Sequence, residues 1–528
     1  MFRIALISPP YGGSSNSMRP IGLMALASYL EHEFRERVEV KLLDYSDCQH
    51  DDYAAFERDG VSGYDLVGLC AYSTNFPIVR DWALALKRQN PGLKTVIGGP
   101  HATSLPEHIA EHHRDAFDFV VRGEGERPLT ALVAALMTGA RPPRVPGLMY
   151  KDRLGLVRVG TTDPVRDLNT VPTPIAAVYS PYESSLVCYD RKLGRMRKAF
   201  AFTTSRGCPF SCTFCSIRAA DSKWRAVGAE RLGDWIADAL ARDPEIEHIN
   251  FMDADFLIDK KRVKAIGDML ERRHPGKTWS FSARVDDLAR LGEPALQRLS
   301  RQGLLAVEVG FESGSQAMLD RMGKRVSVQE NYDAIAMLRR CDLDFLIDFI
   351  LFLPDETPEQ LRESLTFLKN AQLTDYLPHD HYYTSLVQYP ATPLRPFYER
   401  LFGTTFSMDE LPDPADLFDH PGTKQIYRFF VGEFSQRSQS VLPRLIEEVD
   451  ASARHYAATD RRRAQYLRIE GQSLRNLPYL VLEALLDAEE AGTLLRARSL
   501  SEAVPWLKGF DDHVSTLEEL CRERREAA

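Results

Sequence analysis

No stretch of this chain approaches the roughly twenty consecutive apolar residues of a membrane-spanning helix, so no membrane span is expected. Excess positive charge is also missing: 66 Lys and Arg stand against 75 Asp and Glu, a formal net charge of −9. A protein that binds nucleic acid regardless of sequence is usually basic, which disfavours that partner. The run Arg461-Arg462-Arg463 reads instead as a solvated helix face. Met1 to Pro10 meets Pro9 and Pro10 too early to hold the apolar core of a secretory signal. It reads as a buried strand, and a cytoplasmic location is expected. Cysteine is sparse as well, and eight in 528 residues do not make a disulfide framework. Cys48, Cys70, Cys188, Cys341 and Cys521 are scattered, whereas Cys208, Cys212 and Cys215 crowd into one short segment.

The remaining composition is that of a globular protein, 44% hydrophobic and 27% charged, with length for two to four domains. The first part alternates strand and helix signals. Strands are expected at Ile4–Ser8, Val38–Tyr45, Leu66–Ala71, Lys94–Ile97 and Phe117–Val121. Helices are expected at Gly22–Glu33, with apolar residues on one side, and at Pro77–Arg88. Short apolar strands alternating with helices argue for a doubly wound parallel sheet over residues 1–140. Ligands of such sheets sit at the carboxyl ends of the strands, where Gly98-Gly99 and Gly123-Glu124-Gly125 fall. Residues 141–197 are rich in proline and read as a linker with one or two short strands near Leu148–Val159. A second α/β run covers 198–395. Its strands are expected at Ala199–Ser205, His248–Met252, Thr278–Ala283, Leu305–Gly310, Leu343–Phe352 and Tyr382–Gln388. Helices between them are expected at Glu230–Ala241, Lys260–Arg272, Asn331–Arg340 and Pro358–Lys369. Six such units are too few for an eight-fold barrel but fit a partial (β/α)6 barrel of TIM type. Residues 396–528 have almost no strand signal and read as a helical domain.

The segment Arg206-Gly207-Cys208-Pro209-Phe210-Ser211-Cys212-Thr213-Phe214-Cys215 directly follows an apolar strand. Three thiolates on one tight loop suffice for three irons of a cubane, which leaves a fourth iron open to chelate a ligand. A structural zinc site needs a fourth ligand, and no nearby Cys or His supplies it. An electron-transfer cluster normally has four thiolates.

With its Cys-x3-Cys-x2-Cys spacing and an aromatic before the third cysteine, the sequence resembles the radical S-adenosylmethionine enzymes. Other segments match in order. Asn250 to Phe256 resembles the family's second-strand motif, and Glu308 to Ser315 its fourth-strand motif. Leu319 to Lys324 follows as it commonly does. Phe349 to Thr357 resembles the fifth-strand motif, but Phe352 and Asp355 replace its usual glycines. The resemblance implies a [4Fe–4S] cluster on Cys208, Cys212 and Cys215, with S-adenosylmethionine chelating the open iron. It implies adenine near the backbone of Phe214 and contacts to ribose or the amino acid part from Glu312 and Ser313. Arg284 suits the ligand's carboxylate or, equally, a salt bridge to Asp286 or Asp287. Asp253 and Asp255 are polar ligands at a strand end or helix caps.

The N-terminal part resembles the cobalamin-binding domain that precedes one large branch of these enzymes. The matching pieces are Ser8 to Tyr11, Ile21 to Leu23, Ser73-Thr74, Val96 to Thr103 and Val120 to Glu126. Gly98, Gly99 and Gly123 allow a bulky ligand close to the backbone. The resemblance implies cobalamin contacts from Tyr11, Ser73, Thr74, His101 and Glu124. No Asp-x-His-x-x-Gly motif is present, so no motif histidine is offered to the cobalt.

The implied activity is methyl transfer from methylcobalamin to an unactivated carbon of a small metabolite, in natural-product biosynthesis. The alternative is a cyclase, ring-contraction or dehydration reaction without methyl transfer. An external one-electron reductant such as flavodoxin or ferredoxin is the implied partner. Tyr382, Tyr383, Gln388 and Tyr389 are candidates for the substrate pocket, with packing the competing role for at least two. The helical C-terminal part is expected to cap the site and select substrate.

Overall fold

The structure is a computed structural model, and it describes residues 1–10, 20–46, 48, 59–160, 162–179, 186–217, 223–374, 376 and 379–527. Tyr11 lies outside these residues. The first sheet is built from β1 (Phe2–Ser8), β2 (Val38–Asp44), β3 (Leu66–Cys70), β4 (Lys94–Gly98), β5 (Phe119–Val121), β6 (Leu148–Asp152), β7 (Gly155–Val157) and β8 (Val178–Tyr179). Its order is β7-β6-β5-β4-β3-β1-β2-β8. All neighbours run parallel except β5–β6 and β6–β7. Along β1 the side chains alternate between two cores. Ile4 and Leu6 join the helices Ile21–Phe34 and Glu126–Met137 on one face. Ala5 and Ile7 join Trp82, Ala83 and Leu86 of the helix Phe76–Gln89 on the other. Burial on both faces is what makes these strands nearly continuous apolar runs.

The connector read as a linker is built into this sheet. Its hairpin β6–β7 extends one edge and β8 the other. Between them it is bonded to both halves of the chain. Asn169 Oδ1 accepts from Gly228 N at 2.8 Å, and Val171 O from Arg231 Nη2 at 3.0 Å. Thr173 donates to Asp238 at 2.5 Å, while Ala176 N donates to Ser28 Oγ at 3.1 Å.

The second sheet comprises β9 (Val187–Asp190), β10 (Arg195–Phe202), β13 (His248–Phe251), β14 (Thr278–Arg284), β15 (Leu304–Glu312) and β16 (Asp344–Phe349). A separate ribbon pairs β11 (Ser205–Arg206) with β12 (Arg225–Ala226). The sheet order is β16-β15-β14-β13-β10-β9, parallel except for β9. It curls into a half-barrel. Arg191 and Lys192, in the turn after β9, reach Asp344 at 3.3 Å and Asp342 at 2.6 Å beside β16. The helices expected here span Ala229–Arg242, Lys260–Arg273, Val328–Arg340 and Pro358–Asn370. The last two start on capping boxes, Ser327 with Glu330 and Thr357 with Gln360, which satisfy the free amides of the first turn.

One strand expectation fails. Residues 382–388 form no strand; His379–Tyr383 is a tight helical turn, and only Phe352 and Ser385 make an isolated bridge. The Tyr382 ring is fully buried and its hydroxyl donates to Thr374 O at 2.9 Å. Its apolar signal was that of a buried turn.

The half-barrel's outer face is apolar, with Phe251, Trp279, Phe281, Val307 and Ile347 buried under the helices. Several of the alternate residues on the inner face are polar. His248 meets Thr278 Oγ1 at 2.9 Å and Ser280 Oγ at 2.8 Å, Ser280 donates to Asn250 at 3.2 Å, and Ser282 donates to Glu308 at 2.5 Å. A closed barrel fills this space with branched aliphatic side chains. The inner face of this half-barrel is instead a network of polar side chains bonded to one another.

The C-terminal region is helical, as expected, and includes helices at Leu442–Tyr456 and Arg461–Glu490. It docks where the fifth-strand motif departs from the family pattern. Phe352 packs edge-on against Tyr427 at 5.2 Å. Asp355 accepts from Tyr398 at 2.7 Å and pairs with Arg321 at 2.7 Å. No helix among the described residues is long and apolar enough to cross a membrane. Near the N-terminal sheet, Asp409 accepts from His108 at 2.7 Å and His113 at 2.8 Å. The three ligand atoms lie within 4.8 Å of one another and form a hydrogen-bonded clasp.

Candidate functional site

The loop carrying Cys208, Cys212 and Cys215 leaves the half-barrel after β10. Its root is held by one buried carboxylate. Asp253 accepts from Thr204 N at 2.5 Å, Thr204 Oγ1 at 2.7 Å, Ser205 N at 3.0 Å and Ser205 Oγ at 2.8 Å. Asp253 thus faces the loop's root rather than a ligand, and its two oxygens are already saturated. Arg262 completes the knot, donating to Thr204 Oγ1 at 2.6 Å and Val227 O at 2.8 Å. Further along, Thr213 N donates to Met322 O at 2.9 Å and Thr213 Oγ1 to Arg321 O at 2.7 Å. Gly323, at φ +66°, permits this approach: a Cβ there would lie 3.1 Å from Thr213 Cγ2.

All three cysteines are free and partly exposed. Burial pushes the Cys208 and Cys215 thiols up, and neighbouring cysteines add to the effect. Arg284 supplies a cation beside them. It donates to Cys212 Sγ at 3.3 Å, to Lys324 O at 2.5 Å and to Asp286 at 2.9 Å, and lies over the Phe210 ring at 4.2 Å. The salt-bridge role weighed for Arg284 is therefore present. The other five cysteines lie in the N-terminal sheet region, in β9, after the helix Val328–Arg340 and in the last helix. A donor set of three soft thiolates on one loop fits a cubane with one corner unclaimed.

Beside the loop, Glu312 ends β15 at φ +64°, an unusual conformation for a residue with a Cβ. Its carboxylate accepts from Lys324 Nζ at 2.8 Å. Gly310 makes room for this pair, since a Cβ there would lie 2.7 Å from Glu312 Oε1. Ser313 is fully buried, and its hydroxyl meets Ser364 Oγ at 3.0 Å and accepts from Ser315 N at 3.1 Å. It braces the turn. Phe214 is partly buried against the core. Asp255 is buried beside Asp287, and burial and that second carboxyl push it up to about 7.

Sequence reasoning missed Glu308, Asp348 and Lys324. Burial first, then Glu308 and Glu312, push the Asp348 carboxyl well above its ordinary range. For Glu308 and Asp348 the signal was there in the period-two pattern: each sits between buried apolar neighbours, on β15 and β16. Of the substrate-pocket candidates, Tyr383 packs on Phe430 and shares a hydrogen bond with Ser438 at 2.9 Å. Gln388 is buried, with Nε2 donating to Leu386 O at 3.3 Å. Tyr389 lies near enough to Cys215 to feel its charge.

A cavity of about 290 Å³ opens between the carboxyl ends of β3–β5 and the half-barrel. Gly98, Gly99, Gly123 and Glu124 line it from one side, Thr203 and Arg206 from the other. Its volume suits one part of a large cofactor rather than the whole. Ser73 and His101 are buried away from it: His101 Nδ1 meets Ser73 Oγ at 3.0 Å, and its ring stacks on Phe76 at 4.1 Å. Burial drives the His101 ring down to about 4. Thr74 is exposed. Glu124 is spent on arginines of the second half, at 2.9 Å from Arg206 and 2.5 Å from Arg225. Burial alone would raise its carboxyl, but these two partners outweigh it and hold it below the ordinary range.

Gly99, at φ +93°, brings the chain against β3: a Cβ would lie 2.8 Å from Ala71 O and 2.9 Å from Cys70 Sγ. Gly99→Ala is expected to cost about 2–4 kcal/mol through strain and overpacking. Urea denaturation of the apoprotein measures it, and an unchanged midpoint would refute the close-approach role.

Two family models match the chain: the radical SAM superfamily over residues 202–368 and the B12 binding domain over residues 13–133. An uncharacterized methyltransferase of Pyrococcus horikoshii is 30% identical over 403 residues, covering 75% of this chain and 82% of that one. An anaerobic magnesium-protoporphyrin IX monomethyl ester cyclase of Cereibacter sphaeroides is 26% identical, over 79% of this chain and 65% of the cyclase. Among solved structures, the cobalamin-dependent S-adenosylmethionine radical enzyme OxsB with aqua-cobalamin bound superposes at TM-score 0.68 and 18% identity, over 100% of this chain and 81% of its own. The radical S-adenosylmethionine methyltransferase TsrM from Kitasatospora setae reaches 0.58 at 18% identity, over 76% and 75%. At that identity the likeness is one of fold.

Proposed function

The chain belongs to the cobalamin-dependent radical S-adenosylmethionine enzymes, and from that premise we propose that it is a methyltransferase that alkylates an unactivated carbon of a polar small metabolite. One observation carries this reading. The glycine-lined carboxyl edge of the N-terminal sheet shares one cavity with Thr203 and Arg206, the strand end and the neck from which the cysteine loop departs.

In this reading Cys208, Cys212 and Cys215 hold the [4Fe–4S] cluster, and Gly98, Gly99 and Gly123 cradle cobalamin. When bound, the cluster, S-adenosylmethionine and cobalamin supply the electron, the hydrogen-abstracting radical and the methyl group. The chain supplies position and charge. The Glu312–Lys324 pair offers an acceptor and a cation to a zwitterionic ligand, with the backbone near Phe214 beside it. Arg284 lends positive charge to the thiolates through Cys212. Asp348, Glu308, Ser282, Ser280 and Asn250 would offer polar groups on the inner face of the half-barrel to a polar substrate. Radical enzymes of this superfamily need a one-electron reductant; flavodoxin or ferredoxin of the cytoplasm fits the role.

The test is anaerobic reconstitution with iron, sulfide and hydroxocobalamin, then reduction with S-adenosylmethionine and metabolite fractions. Methyl transfer predicts S-adenosylhomocysteine and 5'-deoxyadenosine in about equal amounts, with a product heavier by one methylene. The cyclase relative favours a second reading, in which 5'-deoxyadenosine forms without methyl gain. Absence of both nucleosides would defeat either reading.

A further inference from the structure

We propose that Glu124 is a positioning residue that couples the cobalamin-binding domain to the cluster loop. The loop leaves the barrel through β11 and returns through β12. In that two-stranded ribbon Ser205 faces Ala226 and Arg206 faces Arg225. The cysteine loop, described at residues 207–217, thus departs from a narrow neck. A ribbon with two residues per strand is too short to be stiff by backbone pairing alone. What fixes it lies outside it.

On one flank Asp253 grips Ser205 and its neighbour Thr204. On the other, both facing arginines reach the same N-terminal carboxylate. Arg206 Nη1 lies 2.9 Å from Glu124 Oε2, and Arg225 grips Glu124 with two nitrogens at 2.5 and 3.3 Å. Arg206 Nη2 also reaches Glu126, itself 4% exposed, at 2.6 Å. Val165 N donates to Glu124 at 3.2 Å and Val165 O accepts from Arg225 at 2.5 Å, so the connector closes the ring. Pairs this sheltered, sharing partners in a network, are stiffer than exposed ones. Glu124 follows Gly123 at the end of β5, and both line the cavity between the domains. A ligand seated there touches the residue that holds the neck, two positions before Cys208. Occupancy of the N-terminal site and the geometry of the cysteine loop are thus one linked equilibrium. Linkage of this kind is reciprocal.

The inference rests on the cobalamin reading, and the test separates the two. Cluster-loaded protein is titrated with S-adenosylmethionine with and without saturating hydroxocobalamin. The wild type should change its S-adenosylmethionine Kd by about fivefold or more between the two conditions. Glu124→Gln should bind both ligands but lose that difference. Arg127→Ala, which breaks the exposed Arg127–Asp163 pair next door, should retain it. Undiminished coupling in Glu124→Gln, or none in the wild type, overturns the proposal. A wild type that binds no hydroxocobalamin overturns the cobalamin reading with it. Should Glu124→Gln not fold, Arg225→Lys keeps the charge without the two-nitrogen grip and is read the same way.

Discussion

Alanine at Cys208, Cys212 or Cys215 is expected to remove the cluster and all cleavage of S-adenosylmethionine while leaving corrinoid binding in place. The three sulfurs sit on the loop beyond its neck, and the Asp253 knot and the Glu124 ion pairs that shape the neck use none of them. The cysteines are only partly buried, so each change should cost the apoprotein no more than about 1 kcal/mol. Two remaining thiolates do not hold a cubane firmly. Iron and sulfide content after reconstitution, 5'-deoxyadenosine yield and corrinoid retained through gel filtration check the three parts separately. A variant with full iron and full cleavage would remove the cluster assignment, whatever happened to the corrinoid.

The second large effect is expected at Asp253. Asp253→Ala strips four hydrogen-bond donors of their acceptor and leaves Arg262, only 7% exposed at its side chain, beside an empty site. Breaking a buried charged network from one side costs about 3–5 kcal/mol. Asp253→Asn keeps one acceptor and turns an N–H2 toward the donors, so it should recover part of that loss and no more. Chemical denaturation of the apoprotein reads the stability directly. Iron content then shows whether the loop still assembles its cluster when its root is loose. Wild-type stability in Asp253→Ala would mean that the carboxylate merely sits there.

Most elements were legible because their patterns are local. β1, β4, β14 and the helix Lys260–Arg273 fall within a residue or two of their expected bounds, since apolar runs and helical periodicity were enough to place them. Tyr382 to Gln388 misled, because an aromatic-rich segment buried under helices looks like a strand when its partners are unknown. The site was legible to the extent that its chemistry is sequential. The three cysteines lie on one loop after β10 and the glycines at strand ends, where their order along the chain puts them. What sequence could not assign was the partner of each polar residue. Glu124 reads as a ligand contact until Arg206 and Arg225, far along the chain, are seen to claim it. Asp253 likewise reads as a ligand until Thr204 and Ser205 are found on it. Phe352 and Asp355 looked like departures from a motif. They are the places where the C-terminal region is anchored, through Tyr427 and Tyr398.

The connector enters at one edge of the first sheet through β6–β7 and leaves at the opposite edge through β8, bonded on the way to Gly228, Arg231 and Asp238 of the second half. Its described residues are held at both margins of that sheet and against the second half. Swinging the two halves wide apart would have to break those bonds, which favours entry to the cavity by small local shifts around its mouth.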